Sequence, residues 1–308
     1  MQAVVAVPPS PVLSNYADGA GVLERPVAGV PLLTRVIATA GRAGADSVLL
    51  IWPRDVDESI WQRVLESPLL KSMPISRLVE AFDPAEADNW AAIELALEDR
   101  FLWLPWNWVT HKRALTGLAA LPAHPALWEA PVLLDRHVAA SRNGAQLAEQ
   151  AVEQAVEGVA LLPHTETAEA ERFVVAHSGK PSDGIYSRFN RWLCRPAVRF
   201  LSHTRVTPNW ITLGGLLLAI PAALLYARGF YAAYVGGALL FFLSGLFDEM
   251  DGMLARIEFR ESVFGTWFEG LVDEGTYLLL FWGITAGLYR QRGPRELIYP
   301  KTGDSEIG

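Results

Sequence analysis

Residues 210–227, WITLGGLLLAIPAALLYA, and residues 230–247, FYAAYVGGALLFFLSGLF, are two uncharged runs divided only by Arg228-Gly229. Each is close to the ~20 apolar residues with which a helix crosses a bilayer core. A third stretch, about residues 263–288, is apolar in its second half and carries Glu269, Asp273 and Glu274 in its first. A hairpin buried in a soluble core would need far more covering chain than is left over. Three transmembrane helices are therefore expected, and an integral membrane protein with them.

Immediately upstream the sequence turns basic. Arg188, Arg191, Arg195 and Arg199 recur at spacings of 3, 4 and 4, which holds them on one helix face. Phe189, Trp192, Leu193 and Phe200 add apolar contacts, and Arg205 follows with no acid between. Such a helix is expected to lie at the interface and face lipid phosphates. Pro196 should kink or divide it. Gly179-Lys180-Pro181-Ser182-Asp183-Gly184 is turn chemistry and marks a boundary. The domain reading is 1–178, a linker with a basic juxtamembrane helix at 179–205, a membrane domain at 206–290 and a polar tail at 291–308. The positive-inside tendency puts the basic collar, Arg256 and Arg260 in the cytoplasm together with the N-terminal domain, and the helices in the cytoplasmic (inner) membrane.

Further upstream the pattern changes. Short apolar runs at 3–7, 47–52, 101–104, 131–134 and 158–162 alternate with helical stretches such as 31–43, where Leu32, Val36, Ile37 and Ala40 share a face. Strand–helix alternation predicts an α/β domain with a mostly parallel sheet. The whole is thus an α/β N-terminal domain followed by an all-α membrane domain.

Composition agrees with this division. Of 308 residues, 51% are hydrophobic and 19% charged, below the ~25% charged of a soluble globular chain, which excludes disorder and points to membrane contact. Mean hydropathy is positive, +0.20. The net charge of −8 divides into −9 before Tyr186 and +1 from there onward. No large basic domain exists, so nucleic acid is not an expected partner. A single cysteine, Cys194, excludes an internal disulfide framework and a multi-cysteine zinc site. The six histidines, His111, His124, His137, His164, His177 and His203, show no metal-ligand spacing and are read as ordinary surface or core residues. The start, Met1-Gln2-Ala3-Val4, lacks the basic region of a secretory signal.

Acids entering apolar helices carry the chemistry. Asp248 and Asp251 stand at i and i+3 at the end of the second run, and Glu269 and Asp273 at i and i+4 at the start of the third. Each pair shares a helix face. The polar stretch 256–261 lets the second helix return as the third, so the four carboxylates are expected to face one another. Repulsion and desolvation penalise such a group unless a divalent cation binds through the oxygens. Gly252 and Gly265 leave room for a phosphate or sugar, and Arg256 adds a fixed positive charge for an anionic substrate.

Asp248-x-x-Asp251-Gly252-x-x-Ala255-Arg256, then eight residues, Gly265, three residues, Glu269, three residues and Asp273 resembles the CDP-alcohol phosphatidyltransferase signature. Glu269 departs from it, standing where the family has aspartate. Lys180-Pro181-x-Asp183-Gly184-x-x-Ser187-Arg188-x-Asn190-Arg191 and Thr207-Pro208-Asn209-x-Ile211-Thr212 look like the linker and first-helix entry of fused members of that family. The resemblance covers residues 180–290. It implies transfer of a phosphatidyl-type group from a CDP-linked lipid to an alcohol, with release of CMP, in phospholipid biosynthesis. It further implies Mg2+ or Mn2+ held by Asp248, Asp251, Glu269 and Asp273, with Asp273 also the general base. Substrate contacts fall to Gly252, Ala255, Arg256, Gly265, Asn209, Arg188 and Arg191. An inositol phosphate or another polyol is the expected acceptor. Family members have six membrane helices, so the expectation is either a homodimer that completes the core or a chain truncated relative to that fold. The alternatives are a catalytically impaired relic that binds CDP-lipid or a partner, and a bifunctional cytidylyltransferase/phosphatidyltransferase.

The front domain is similar to a sugar-nucleotide or MobA-like nucleotidyltransferase, with Pro26-Val27-Ala28-Gly29-Val30-Pro31-Leu32-Leu33 echoing the segment before the first long helix. Such enzymes hold triphosphate on a glycine-rich basic loop after the first strand. Here that place reads Pro8-Pro9-Ser10-Pro11-Val12-Leu13-Ser14-Asn15-Tyr16, and proline donates no N–H to phosphate. The strand ending at Leu104-Pro105-Trp106-Asn107-Trp108 lacks a metal-binding aspartate. The domain is read as catalytically degenerate.

Overall fold

Gln2–Ala6 (QAVVA), apolar after its first residue, forms β1 and is buried at every residue. A strand buried on both faces reads as a continuous apolar run, as parallel sheets require. In the computed structural model, which describes residues 1–119, 130–136, 139, 156–180, 182 and 184–298, β1 is the centre of a five-stranded sheet. The chain divides into two units, Met1–His177 and Ser178–Gly308.

In the first unit α1 (Ser10–Leu13) follows β1, and a hairpin of β2 (Pro26–Val27) and β3 (Val30–Pro31) leads into α2 (Leu32–Arg42). Its two turn residues, Ala28 and Gly29, have φ of 45° and 79°, as a type I′ turn demands. The buried Arg35 guanidinium donates to the Val27 carbonyl, 2.7 Å from Nη2, and to that of Ala28 at 3.2 Å, holding the non-glycine residue there. Next come β4 (Ser47–Trp52), α3 (Glu58–Glu66), β5 (Ile75–Val79), α4 (Ala87–Ile93), β6 (Arg100–Trp103), β7 (Trp108–Thr110) and α5 (Lys112–Ala119). The unit ends with β8 (Val132–Asp135), β9 (Gly158–Ala160) and α6 (Thr167–Ala176).

The sheet order is β5-β4-β1-β6-β8, parallel except for the β6–β8 pair. The α/β expectation holds. Besides the two-residue strands β2 and β3, which were not expected, three strands differ from the sequence reading. β5 was not anticipated, because ISRLV interrupts its apolar residues with Ser76 and Arg77 as an edge strand can. β7 was also missed, and β9 leaves the main sheet to pair with it as a ribbon. One face of the sheet is covered by rings: Trp90 stacks on Phe101 at 5.7 Å and meets Trp103 edge-on at 5.3 Å.

The second unit is helical: α7 (Ile185–Leu201), α8 (Pro208–Tyr226), α9 (Tyr231–Ile257) and α10 (Val263–Ile298). Pro196 lies inside α7 without dividing it. The expected division is thus corrected, and packing of α7 on α9 accounts for its tolerance. α8 and α9 are long and apolar enough to cross a membrane. Their outward residues are apolar, with Trp210 66% and Leu239 61% exposed, a surface that fits a lipid surrounding. α10 forms where the third transmembrane helix is expected, but among the described residues only α8 and α9 are long and apolar enough to cross; α10 carries the acids and runs on to Ile298, seven residues past the expected start of the polar tail at 291. Residues 299–308 lie outside the described residues.

α8 is the hub, packing against both α9 and α10. Small residues permit this. A Cβ at Gly283 would stand 2.4 Å from the Ala223 carbonyl oxygen, and one at Gly287 2.2 Å from that of Tyr226. Backbones that approach so closely tolerate only glycine, as helices packed in lipid commonly do. Between α8 and α9 the chain turns at Gly229, φ +79°.

Candidate active site

Three helices build the site. Asp248 and Asp251 come from the last turns of α9, Glu269 and Asp273 from the first half of α10, and Thr212 from α8 between them. Ser262 sets the start of α10, its Oγ accepting from the Gly265 N–H at 3.0 Å. At the end of α9 the Arg260 N–H returns to the Ala255 carbonyl at 2.8 Å, with Phe259 in the left-handed region at φ +57°. That tight stop delivers Arg256 and Arg260 beside the acids.

Carboxylate oxygens of Asp248, Asp251 and Glu269 lie within 4.8 Å of one another. Asp251 is buried, 3% exposed, and its Oδ2 accepts from the Thr212 hydroxyl. Its Oδ1 and the Oδ1 of Asp248 are buried without a hydrogen-bond partner among the described residues. Asp273 lines the same small cavity as Asp248. Unpaired carboxylate oxygens in a buried site are costly unless a cation answers them. The longer Glu269 side chain reaches the cluster, so the substitution at this position does not remove the third carboxylate from it.

A cavity of about 330 Å³ opens beside the cluster, lined by Asn209, Thr212, Asp251, Gly252, Ala255, Arg256, Gly265, Glu269 and Asp273 among others. A smaller one of about 70 Å³, bounded by Thr212, Ser244, Asp248 and Asp273, lies next to it. Five of the seven expected substrate contacts therefore surround one space. The other two do not. Arg188 is exposed on α7, and Arg191 Nε donates to Glu249 Oε2 at 2.8 Å, an ion pair largely shielded from solvent between α7 and α9. Arg191 thus ties helices together, a role its spacing could not separate from ligand contact. Arg256 Nε donates to the Ser178 carbonyl at 2.5 Å, fixing its guanidinium beside Gly252, where a Cβ would stand 3.2 Å from Nη1.

Sequence reasoning placed none of Thr212, Arg260, Ser262 and Thr266 in the site, although all line the cavity. Thr212 lay within a quoted stretch, but a hydroxyl in an apolar helix carries no signal of its partner. Pro181 and Asp183 of the linker motif, and His124 and His137, lie outside the described residues.

Comparison with known proteins bears on the same region. Residues 205–292 match the family model of CDP-alcohol phosphatidyltransferase. Those residues therefore carry a domain of this transferase family, whose members are integral membrane proteins. The chain is 38% identical over 79 residues to archaetidylinositol phosphate synthase of Methanothermobacter thermautotrophicus, covering 26% of this chain and 39% of that protein. It is 36% identical over 90 residues to an uncharacterized protein of Aquifex aeolicus, covering 29% and 44%. The matches thus span less than half the length of either relative.

Proposed function

We propose that the second unit transfers a phosphatidyl-type group from a CDP-linked lipid to an alcohol and releases CMP. One observation carries this reading: three carboxylates from two membrane-region helices converge beside a cavity, with orphaned oxygens on two of them. Asp248, Asp251 and Glu269 would hold Mg2+ or Mn2+, with Asp273 beside them. Such an ion, when bound, offsets charge on the diphosphate and on the leaving CMP. Asp273, within both cavities, would accept the proton of the acceptor hydroxyl as its oxygen forms the new phosphoester bond and the bond to CMP breaks. Gly252, Ala255, Gly265 and Asn209 would shape the wall. Lys180, Arg256 and Arg260 contribute cationic side chains to the cavity wall. Together with the named product of the archaeal relative, this favours a polyol phosphate, such as inositol phosphate, as acceptor.

The test is CMP release by purified protein given CDP-diacylglycerol or a CDP-linked archaeal lipid, candidate polyol phosphates and Mn2+. No CMP above a metal-free control would leave the impaired, lipid-binding relic as the reading. Glu269→Asp is expected to lower CMP release and Mn2+ affinity, because shortening the side chain withdraws a carboxylate that already reaches the cluster. Higher activity would show that glutamate is a defect at this position.

For the first unit we propose a degenerate nucleotidyltransferase-like domain. After β1, where a phosphate loop belongs, the Ser10 N–H donates to Asp55 Oδ2 at 2.8 Å and the Ser10 hydroxyl to the Asp55 carbonyl at 2.6 Å. An internal carboxylate already holds the donor that an incoming anion would need. CTP with Mg2+ is expected not to bind the full chain at this unit. Saturable CTP binding that survives Asp251→Asn would restore the bifunctional reading.

A further inference from the structure

Folding brings two histidines, 66 residues apart in the chain, to one carboxylate. β7 and β9 pair antiparallel with Thr110 opposite Gly158, so the flanking residues His111 and Glu157 come side by side. α6 packs on that ribbon, and His177, the residue that ends it, arrives at the same place. His111 Nε2 is 3.3 Å from Glu157 Oε2, and His177 Nε2 is 2.7 Å from Glu157 Oε1. The imidazoles stack with centroids 4.9 Å apart and 12° between planes, and Phe173 packs on His177 at 4.1 Å.

We propose that His111, Glu157 and His177 form a binding site for a divalent transition-metal ion of the zinc class. Their donor atoms lie within 4.8 Å of one another. Two imidazole nitrogens and a carboxylate oxygen are ligands that suit zinc. Bonds of about 2.0–2.1 Å in a tetrahedral site put neighbouring ligand atoms about 3.3 Å apart, and the His111–Glu157 pair already keeps that spacing.

The tautomers sharpen the argument. His177 Nδ1 lies 2.8 Å from the Phe173 carbonyl and so carries a proton donated to it. In the neutral ring Nε2 then presents a lone pair to Glu157 Oε1. Two acceptors 2.7 Å apart require a cation between them, either a proton or a metal ion. A backbone carbonyl fixing the distal nitrogen is also how metal-bound histidines are oriented. The hydrogen bond from His111 holds the Glu157 carboxyl below its usual range, and burial pushes the His111 imidazole down. Carboxylate and neutral imidazole are the forms that coordinate. The Glu157 side chain is 61% exposed, which leaves the fourth position to water and gives the ion a way in. His111 is the weakest ligand. Its Nδ1 accepts from the Ala114 N–H at 3.3 Å, and coordination through Nε2 gives up that contact because Nδ1 must then hold the proton.

Co2+, which absorbs in the visible when tetrahedral, is the probe. It is titrated at neutral pH into the full-length chain carrying Asp251→Asn, which disables the acidic cluster of the second unit. Uptake of one equivalent with visible absorption, displaced by Zn2+ and accompanied by a raised melting midpoint, is expected. His177→Ala or Glu157→Gln should abolish all three signals, and His111→Ala should weaken binding about 10–100-fold. Absence of uptake overturns the proposal. So does uptake undiminished by Glu157→Gln, a change at an exposed side chain that leaves the fold intact. The cluster is then a protonated His177 paired with Glu157.

Discussion

Asp251→Asn is expected to cut CMP release by about 10²–10⁴-fold, the equivalent of several kcal/mol of lost charge stabilisation on the phosphoryl oxygens. Asp251 is the most buried of the clustered acids, at 3% exposure, and Thr212 already satisfies one of its oxygens. Asparagine preserves the volume and keeps a carbonyl oxygen for the Thr212 hydroxyl, so the helices should pack as before. The other oxygen becomes an amide that cannot ligate a hard cation. Mn2+ affinity should fall together with activity, while the melting midpoint without metal changes little or rises, because a buried charge has been removed. Mn2+ binding and turnover both within tenfold of the parent would show that the cluster does not hold the ion.

Asp273→Asn should separate the other role. The predicted loss in kcat is about 10²–10⁴-fold, the usual contribution of a positioned general base, with Mn2+ affinity and CDP-lipid binding reduced only a few-fold. The expectation follows from placement. Asp248, Asp251 and Glu269 form the mutually close set, whereas Asp273 lines both cavities beside it. A neutral amide there still offers a hydrogen bond to the acceptor but cannot take its proton. Mn2+ affinity falling as far as in Asp251→Asn would make Asp273 a ligand, leaving the base to be sought elsewhere.

The local pattern of the chain was enough for much of this. Uncharged runs as long as those of α8 and α9 have few alternatives to helices in lipid, because every backbone group must be satisfied within the segment. The acids at i, i+3 and i, i+4 share faces by helix geometry alone. The buried strands β1 and β4 are legible because, after Gln2 and Ser47, their residues are apolar without interruption. These are short-range properties, and short-range order is what a sequence displays directly.

Tertiary structure decided what depends on residues far apart in the chain. That Thr212 bonds Asp251, that Arg191 serves Glu249 and not the cavity, and that Gly283 and Gly287 admit the backbone of α8 all follow from packing between helices. Edge strand β5 and the ribbon β7–β9 escaped because pairing, not propensity, makes short or polar segments into strands. His111, Glu157 and His177 meet for the same reason. Antiparallel register aligns the first two and a helix packed across the ribbon adds the third, so no spacing along the chain could have shown them as neighbours.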